Sequence, residues 1–171
     1  SKIGVEIFIL PSSRIASGVD DFSLDAGIAY SDDAELNITI PLYVETYSLV
    51  AREELVKDLT DPVSWNSVCD VPLALLTSNM RNRQIIDSVF NQLNLLPNVV
   101  TQASDFVSVF SQVVHGNAAT VAPKDIADTL LTSDGIKKFT LVNPSVQNQV
   151  GLLLQKQSPT LPLIRALKEV L

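Results

Sequence analysis

The chain of 171 residues is poor in the residues that build reactive or cross-linked sites: it has one cysteine, Cys69, one histidine, His115, and one tryptophan. A disulfide framework, a structural zinc site and a Cys/His metal cluster are therefore excluded, and no metal or other cofactor is expected. Positive charge is also scarce, with 12 Lys and Arg against 19 Asp and Glu and a formal net charge of −7. Gripping a phosphate backbone needs clustered cations, so any contact with DNA is expected to come from another part of the protein. No apolar run approaches the roughly 18 residues of a membrane span, and no basic segment leads into an apolar one at the N-terminus. The expectation is a chain that stays in the cytoplasm and touches no membrane.

What is present is a core. With 46% hydrophobic and 18% charged residues, the chain can bury one domain or two small lobes. Its most informative stretch is Pro72–Arg83, PLALLTSNMRNR. Leu73, Ala74, Leu75 and Leu76 form a short continuous apolar run, as in a strand buried on both faces. Ile85, Ile86, Val89, Phe90 and Leu93 then recur at helical spacing. Thr77, Ser78 and Asn79 lie between and are good N-cap residues, able either to cap that helix or to hold an anion at its N-terminus.

The rest of the chain repeats this rhythm. Ile3–Leu10 reads as a strand, Ile15, Val19 and Phe22 as the inner side of a helix opened by Pro11-Ser12-Ser13, and Leu24–Tyr30 as a second strand parallel to the first. Within that strand Gly27 implies another element packed close to the backbone. Leu36–Pro41 and Tyr43–Ala51 read as extended segments on either side of Leu42, and Arg52–Pro62 as a charged surface connection. Cys69 reads as a small packed thiol. Val99–Gln102 is a strand, Ser104-Asp105 caps a helix carrying Phe106, Val107, Phe110, Val113 and Val114, and His115-Gly116-Asn117 ends it. Ala118–Ala122 is a strand, Pro123 opens a helix with Ile126, Ala127 and Leu130, Phe139–Val142 and Val150–Leu154 are strands, and Ser158-Pro159 introduces a last helix. The fold class is α/β.

Several strings in this order resemble the effector-binding domain of LysR-type transcriptional regulators, across nearly the whole chain. LDAGIAY resembles the "D-L-A-I" strand of that family and TYSLVAREE the strand after its first crossover. PNVVTQASDFVSVFSQVVHGNAATVAPKDIA resembles its long signature through the second lobe and is the most specific of the three. The chain departs from that signature at Ala118, where the family usually has glycine, and this narrows the approach of backbone there.

The resemblance implies two Rossmann-like lobes joined by two crossover strands, as in type 2 periplasmic binding proteins. Lobe I would be residues 1–45 and 146–171, and lobe II residues 46–145, with hinges near Val44-Glu45 and Ser145-Val146. It also implies that the first strand and helix of lobe I are missing from this chain, so that upstream residues were lost or left out, or the sequence is a fragment. An inducer, expected to be a small carboxylate or oxyanion, would bind between the lobes. The effector-binding residues carried over by position are Ser12 and Ser13 in lobe I, Thr77, Ser78, Asn79, Met80, Ser104 and Asp105 in lobe II, and Gln147 at the second crossover, with Tyr30 a weaker candidate. The expected partners are the inducer, a second copy in a homodimer or homotetramer, and DNA through a winged helix-turn-helix upstream. A solute receptor of a transport system is the alternative. An enzyme finds no nucleophile and base pair in the loops, where Asp105 stands alone, so no catalytic residue is expected.

Overall fold

The computed structural model of the chain describes residues 4–30 and 38–154. The chain divides into two compact units, Ser1–Val44 with Asn148–Leu171, and Glu45–Gln147. The expected turn at Ser31-Asp32-Asp33 and the expected helix after Ser158-Pro159 lie outside the described residues.

In the first unit α1, Ser12–Asp20, lies against β1, Gly27–Tyr30. The contact is close enough that a Cβ on Gly27 would stand 2.3 Å from Ile15 Cγ2, so only glycine fits at this point of the strand. β1 pairs antiparallel with β8, Gln147–Leu153, in the register Gly27↔Leu153 to Tyr30↔Val150. Leu152 and Leu154 form the core here, with Ala26, Ile40 and Leu42 packed on them.

Two expectations fail in this unit. Residues 4–10 form no strand, and β1 consequently has no parallel partner there; its ladder is the antiparallel one with β8. Local composition favours a strand in this segment, but a strand exists only where a neighbour takes its N–H and C=O groups. Val5, Ile7, Phe8 and Ile9 remain exposed. The two extended segments expected on either side of Leu42 are instead one 15-residue strand, β2, Ile38–Arg52.

The second unit carries a sheet in which β2 lies between β6, Thr120–Pro123, and β7, Ile136–Val142, both antiparallel to it. β7 pairs in parallel with the short β3, Val63–Ser64. β4, Leu73–Leu76, pairs in parallel with β5, Val99–Ala103. A parallel bridge between Leu73 and Ala119 ties β4 to the chain just before β6, with the Ala119 N–H donating to the Pro72 carbonyl and the Ala74 N–H to the Ala119 carbonyl, both at 2.8 Å. All four β4 side chains are buried, which is why the run reads as continuously apolar.

The helices of this unit are α2, Trp65–Val68, α3, Arg81–Gln92, α4, Phe106–Val114, and α5, Lys124–Leu130. One core joins Val50, Ala74 and Leu76 of the strands to Val109, Phe110 and Val113 of α4 and to Ala127 of α5. Trp65 and Phe90 meet edge to face at 5.3 Å, and the Trp65 indole N–H donates to the Pro144 carbonyl at 2.9 Å. Cys69, just after α2, is half-buried, and burial pushes its thiol pKa up, so it stays a protonated packed thiol. α4 ends in a Schellman motif. The Gly116 N–H donates to the Val113 carbonyl and the Asn117 N–H to the Gln112 carbonyl, with Gly116 at φ +74°, where glycine carries no steric penalty.

Candidate functional site

The parallel pair β4 and β5 delivers two loops side by side at its carboxyl ends. Leu76 pairs with Ala103, and the next N–H, that of Thr77, still donates to the Ala103 carbonyl at 2.9 Å. The loops Thr77–Met80 and Ser104–Asp105 therefore leave the sheet from adjacent points, each running into a helix. In open α/β sheets this is where ligands bind.

The first loop is a turn in which the Met80 N–H donates to the Thr77 carbonyl at 3.0 Å. Capping was one expectation for Thr77, Ser78 and Asn79, and none of them caps. The N-cap of α3 is Met80, whose side chain accepts no hydrogen bond from the helix. The Thr77 hydroxyl donates to Asn79 Oδ1 at 2.7 Å, and the Gln84 side chain reaches back to the Ser78 carbonyl at 3.3 Å. The Ser78 and Asn79 side chains are exposed. The turn takes up residues 77–80, so the helix begins at Arg81, beyond where any of the three would have capped it.

The electrostatics of this helix start are unusual. Its first turn has no acidic residue but holds Arg81 and Arg83, which the helix dipole disfavours there. Asn82 is buried, and its Nδ2 has no hydrogen-bond partner among the described residues. A 12-residue helix thus begins with backbone donors that no side chain caps and with no acidic residue in its first turn.

The second loop behaves differently. Asp105 is the N-cap of α4: its Oδ1 accepts the Ser108 N–H at 2.8 Å, and its Oδ2 accepts the Ser108 hydroxyl at 3.0 Å. The backbone hydrogen bond first, and the hydroxyl second, hold its carboxyl below the usual carboxylate range. Ser104 beside it is exposed.

In the first unit Ser12 and Ser13 are the first two residues of α1. The N-cap there is Pro11, and no side chain caps the helix. Tyr30 closes β1, and Gln147 opens β8 as an exposed residue. The fold of the second unit brings Thr77, Ser78, Asn79 and Met80 together with Ser104 and Asp105; Ser12 and Ser13 form a separate helix start in the first unit.

Sequence reasoning passed over Arg83. Its side chain is only 11% exposed. Its Nε donates to Asp87 Oδ1 at 2.7 Å, and its Nη1 donates to both the Leu76 carbonyl and Gln102 Oε1 at 2.9 Å. The Arg83/Asp87 spacing of four was the one available signal. Among the described residues no cluster of His, Cys, Asp and Glu could hold a metal ion, and no helix is long and apolar enough to cross a membrane.

A family model described as the LysR substrate binding domain matches residues 1–171. Among solved structures the chain is similar to the effector binding domain of QuiR in complex with shikimate, at 17% identity and a TM-score of 0.77, covering 92% of this chain and 75% of that one. It is similar to the regulatory domain of Synechocystis PCC6803 CcmR in complex with 2-PG, at 8% identity and a TM-score of 0.79, covering 92% and 76%. It is also similar to full-length CbnR complexed with its target DNA, at 14% identity and a TM-score of 0.75, covering 94% of this chain and 56% of that regulator. At these identities the likeness is one of fold.

Proposed function

Because the chain belongs to the LysR substrate binding domain family, we propose that it is the effector-sensing part of a LysR-type transcriptional regulator. In this reading a small effector binds to the chain and shifts its conformational equilibrium, and a winged helix-turn-helix elsewhere in the protein changes how it sits on DNA. No bond is made or broken. Acting on chromosomal DNA, the protein would work in the cytoplasm. The two units correspond to the two lobes, and family membership favours this role over that of a transport receptor.

One observation carries the choice of site: two loops leave the adjacent carboxyl ends of β4 and β5, and the exposed Ser78 hydroxyl of the first is not consumed in capping. Within the wider set Ser12, Ser13, Thr77, Ser78, Asn79, Met80, Ser104, Asp105 and Gln147, the groups proposed to reach the effector are the Ser78 hydroxyl, the Asn79 amide and the Ser104 hydroxyl. Ser12 and Ser13 are proposed as the contribution of the first unit. Asp105 acts on the same effector through the loop it caps, since both its carboxylate oxygens are already engaged. An anionic effector is supported by the start of α3, with its uncapped backbone donors and no acid in the first turn.

The test begins with shikimate and 2-PG, the ligands of the two relatives, and widens to other small carboxylates and phosphates, following melting temperature to find what binds. Ser78→Ala and Ser12→Ala are then titrated with whichever compound stabilises the wild type. Each lost hydrogen bond should weaken affinity by about tenfold. Unchanged affinity in both variants moves the site away from these loops.

A further inference from the structure

We infer that Arg83 is the positioning residue of the Thr77–Met80 loop, acting by geometry rather than by charge. The inference rests on the proposal that this loop meets the effector, but its structural content can be tested without one.

The guanidinium joins three elements at one point. Its Nη1 holds the Leu76 carbonyl, the last acceptor of β4, and Gln102 Oε1 from β5, while its Nε holds Asp87 one turn along α3. The loop between Leu76 and Arg83 is thus pinned at both of its ends by the same side chain. The strand ends that Arg83 staples are those across which the Thr77 N–H reaches the Ala103 carbonyl. If this staple opens, the Leu76 carbonyl loses its Arg83 donor, and the Thr77 and Met80 bonds are the next to loosen.

Charge is the rival account of a buried arginine beside a proposed anion site. Asp87 lies 2.7 Å from Nε, so the pair is neutral as a unit and offers an anion little net attraction. What Arg83 supplies that a lysine cannot is a planar fork able to reach a carboxylate in one direction and two carbonyl-type oxygens in another.

The experiment is amide hydrogen exchange on the full chain without any effector, for the wild type, Arg83→Lys, Arg83→Gln and Gln102→Ala. The Ala74 N–H, bonded to the Ala119 carbonyl inside β4, serves as the internal reference. The expected result is exchange at Thr77 and Met80 about tenfold faster in both arginine variants, and severalfold faster at Thr77 in Gln102→Ala, with Ala74 unchanged. Thr77 and Met80 within twofold of wild type in Arg83→Lys overturns the inference, because a retained charge would then suffice. A rise at all three amides together also overturns it, since that marks general destabilisation. Gln102 is exposed, so its variant keeps the test decisive if the arginine variants do not fold. Faster exchange combined with unaltered effector binding in Ser78→Ala leaves Arg83 as the organiser of the loop and removes the loop from the effector site.

Discussion

Ser78 and Asp105 both precede helices at the ends of neighbouring strands, yet their side chains do opposite things. Asp105 spends its oxygens on Ser108, while Ser78 leaves its hydroxyl to solvent and α3 to a methionine cap. Ser78→Ala is therefore expected to change stability by less than about 0.5 kcal/mol, without the roughly 1 kcal/mol penalty of a lost cap. A denaturation midpoint well below wild type would show that the hydroxyl is structural. For Asp105 the sign follows from its lowered pKa. The folded state favours the carboxylate, so its contribution is present above the ordinary value of 3.8 and fades as pH falls through the lower folded value. The melting-temperature gap between wild type and Asp105→Ala should stay constant from neutral pH down to about 4 and shrink below it. A gap that does not narrow in acid means the charged form is not what stabilises α4.

At the scale of elements, β4 and residues 4–10 form a contrasting pair. Both are short and apolar, but β4 is covered on both faces, and Leu75→Ala is expected to cost about 2–5 kcal/mol in a urea titration. A loss below 1 kcal/mol would mean the sheet collapses around the missing atoms. In the 4–10 segment Ile7 is 84% exposed, so Ile7→Lys should leave the urea midpoint in place while raising the concentration at which the chain aggregates. A clear fall in the midpoint would show Ile7 to be packed in solution. The same contrast explains what was legible in the sequence. β4, α3, β5 and α4 announce themselves by periodicity, Gly116 by its helix-ending place, and Gly27 by the close approach of Ile15. Strand pairing is not local information, so residues 4–10 were expected to form a strand and β1 to have a parallel neighbour. The site was legible as loops but not as bonds: Thr77–Asn79 reads equally as a capping string or an anion holder, and nothing local points to Arg83, until the fold shows which acceptors lie within reach.

At the scale of the whole molecule, the excess of acidic charge disfavours contact between this chain and a phosphate backbone. Operators read by winged helices are usually two-fold, and a protein matching that symmetry associates in pairs. Light scattering on the chain at micromolar concentration should return twice the monomer mass. A strict monomer would overturn this expectation.

Leu76 and Thr77 are joined by one peptide bond, and they answer to different kinds of selection. On one side lie four side chains that the interior of the fold accepts only as apolar residues of similar volume. On the other lies an exposed turn whose backbone is held by its own Met80-to-Thr77 bond and by the Thr77 N–H on the Ala103 carbonyl. A library of variants across residues 73–80 should therefore show an abrupt change in tolerance at that bond, strict before it and permissive after it. If the effector meets this loop as proposed, descendants of this chain could exchange Ser78 and Asn79 and so come to answer a different molecule, while inheriting the same strand unaltered.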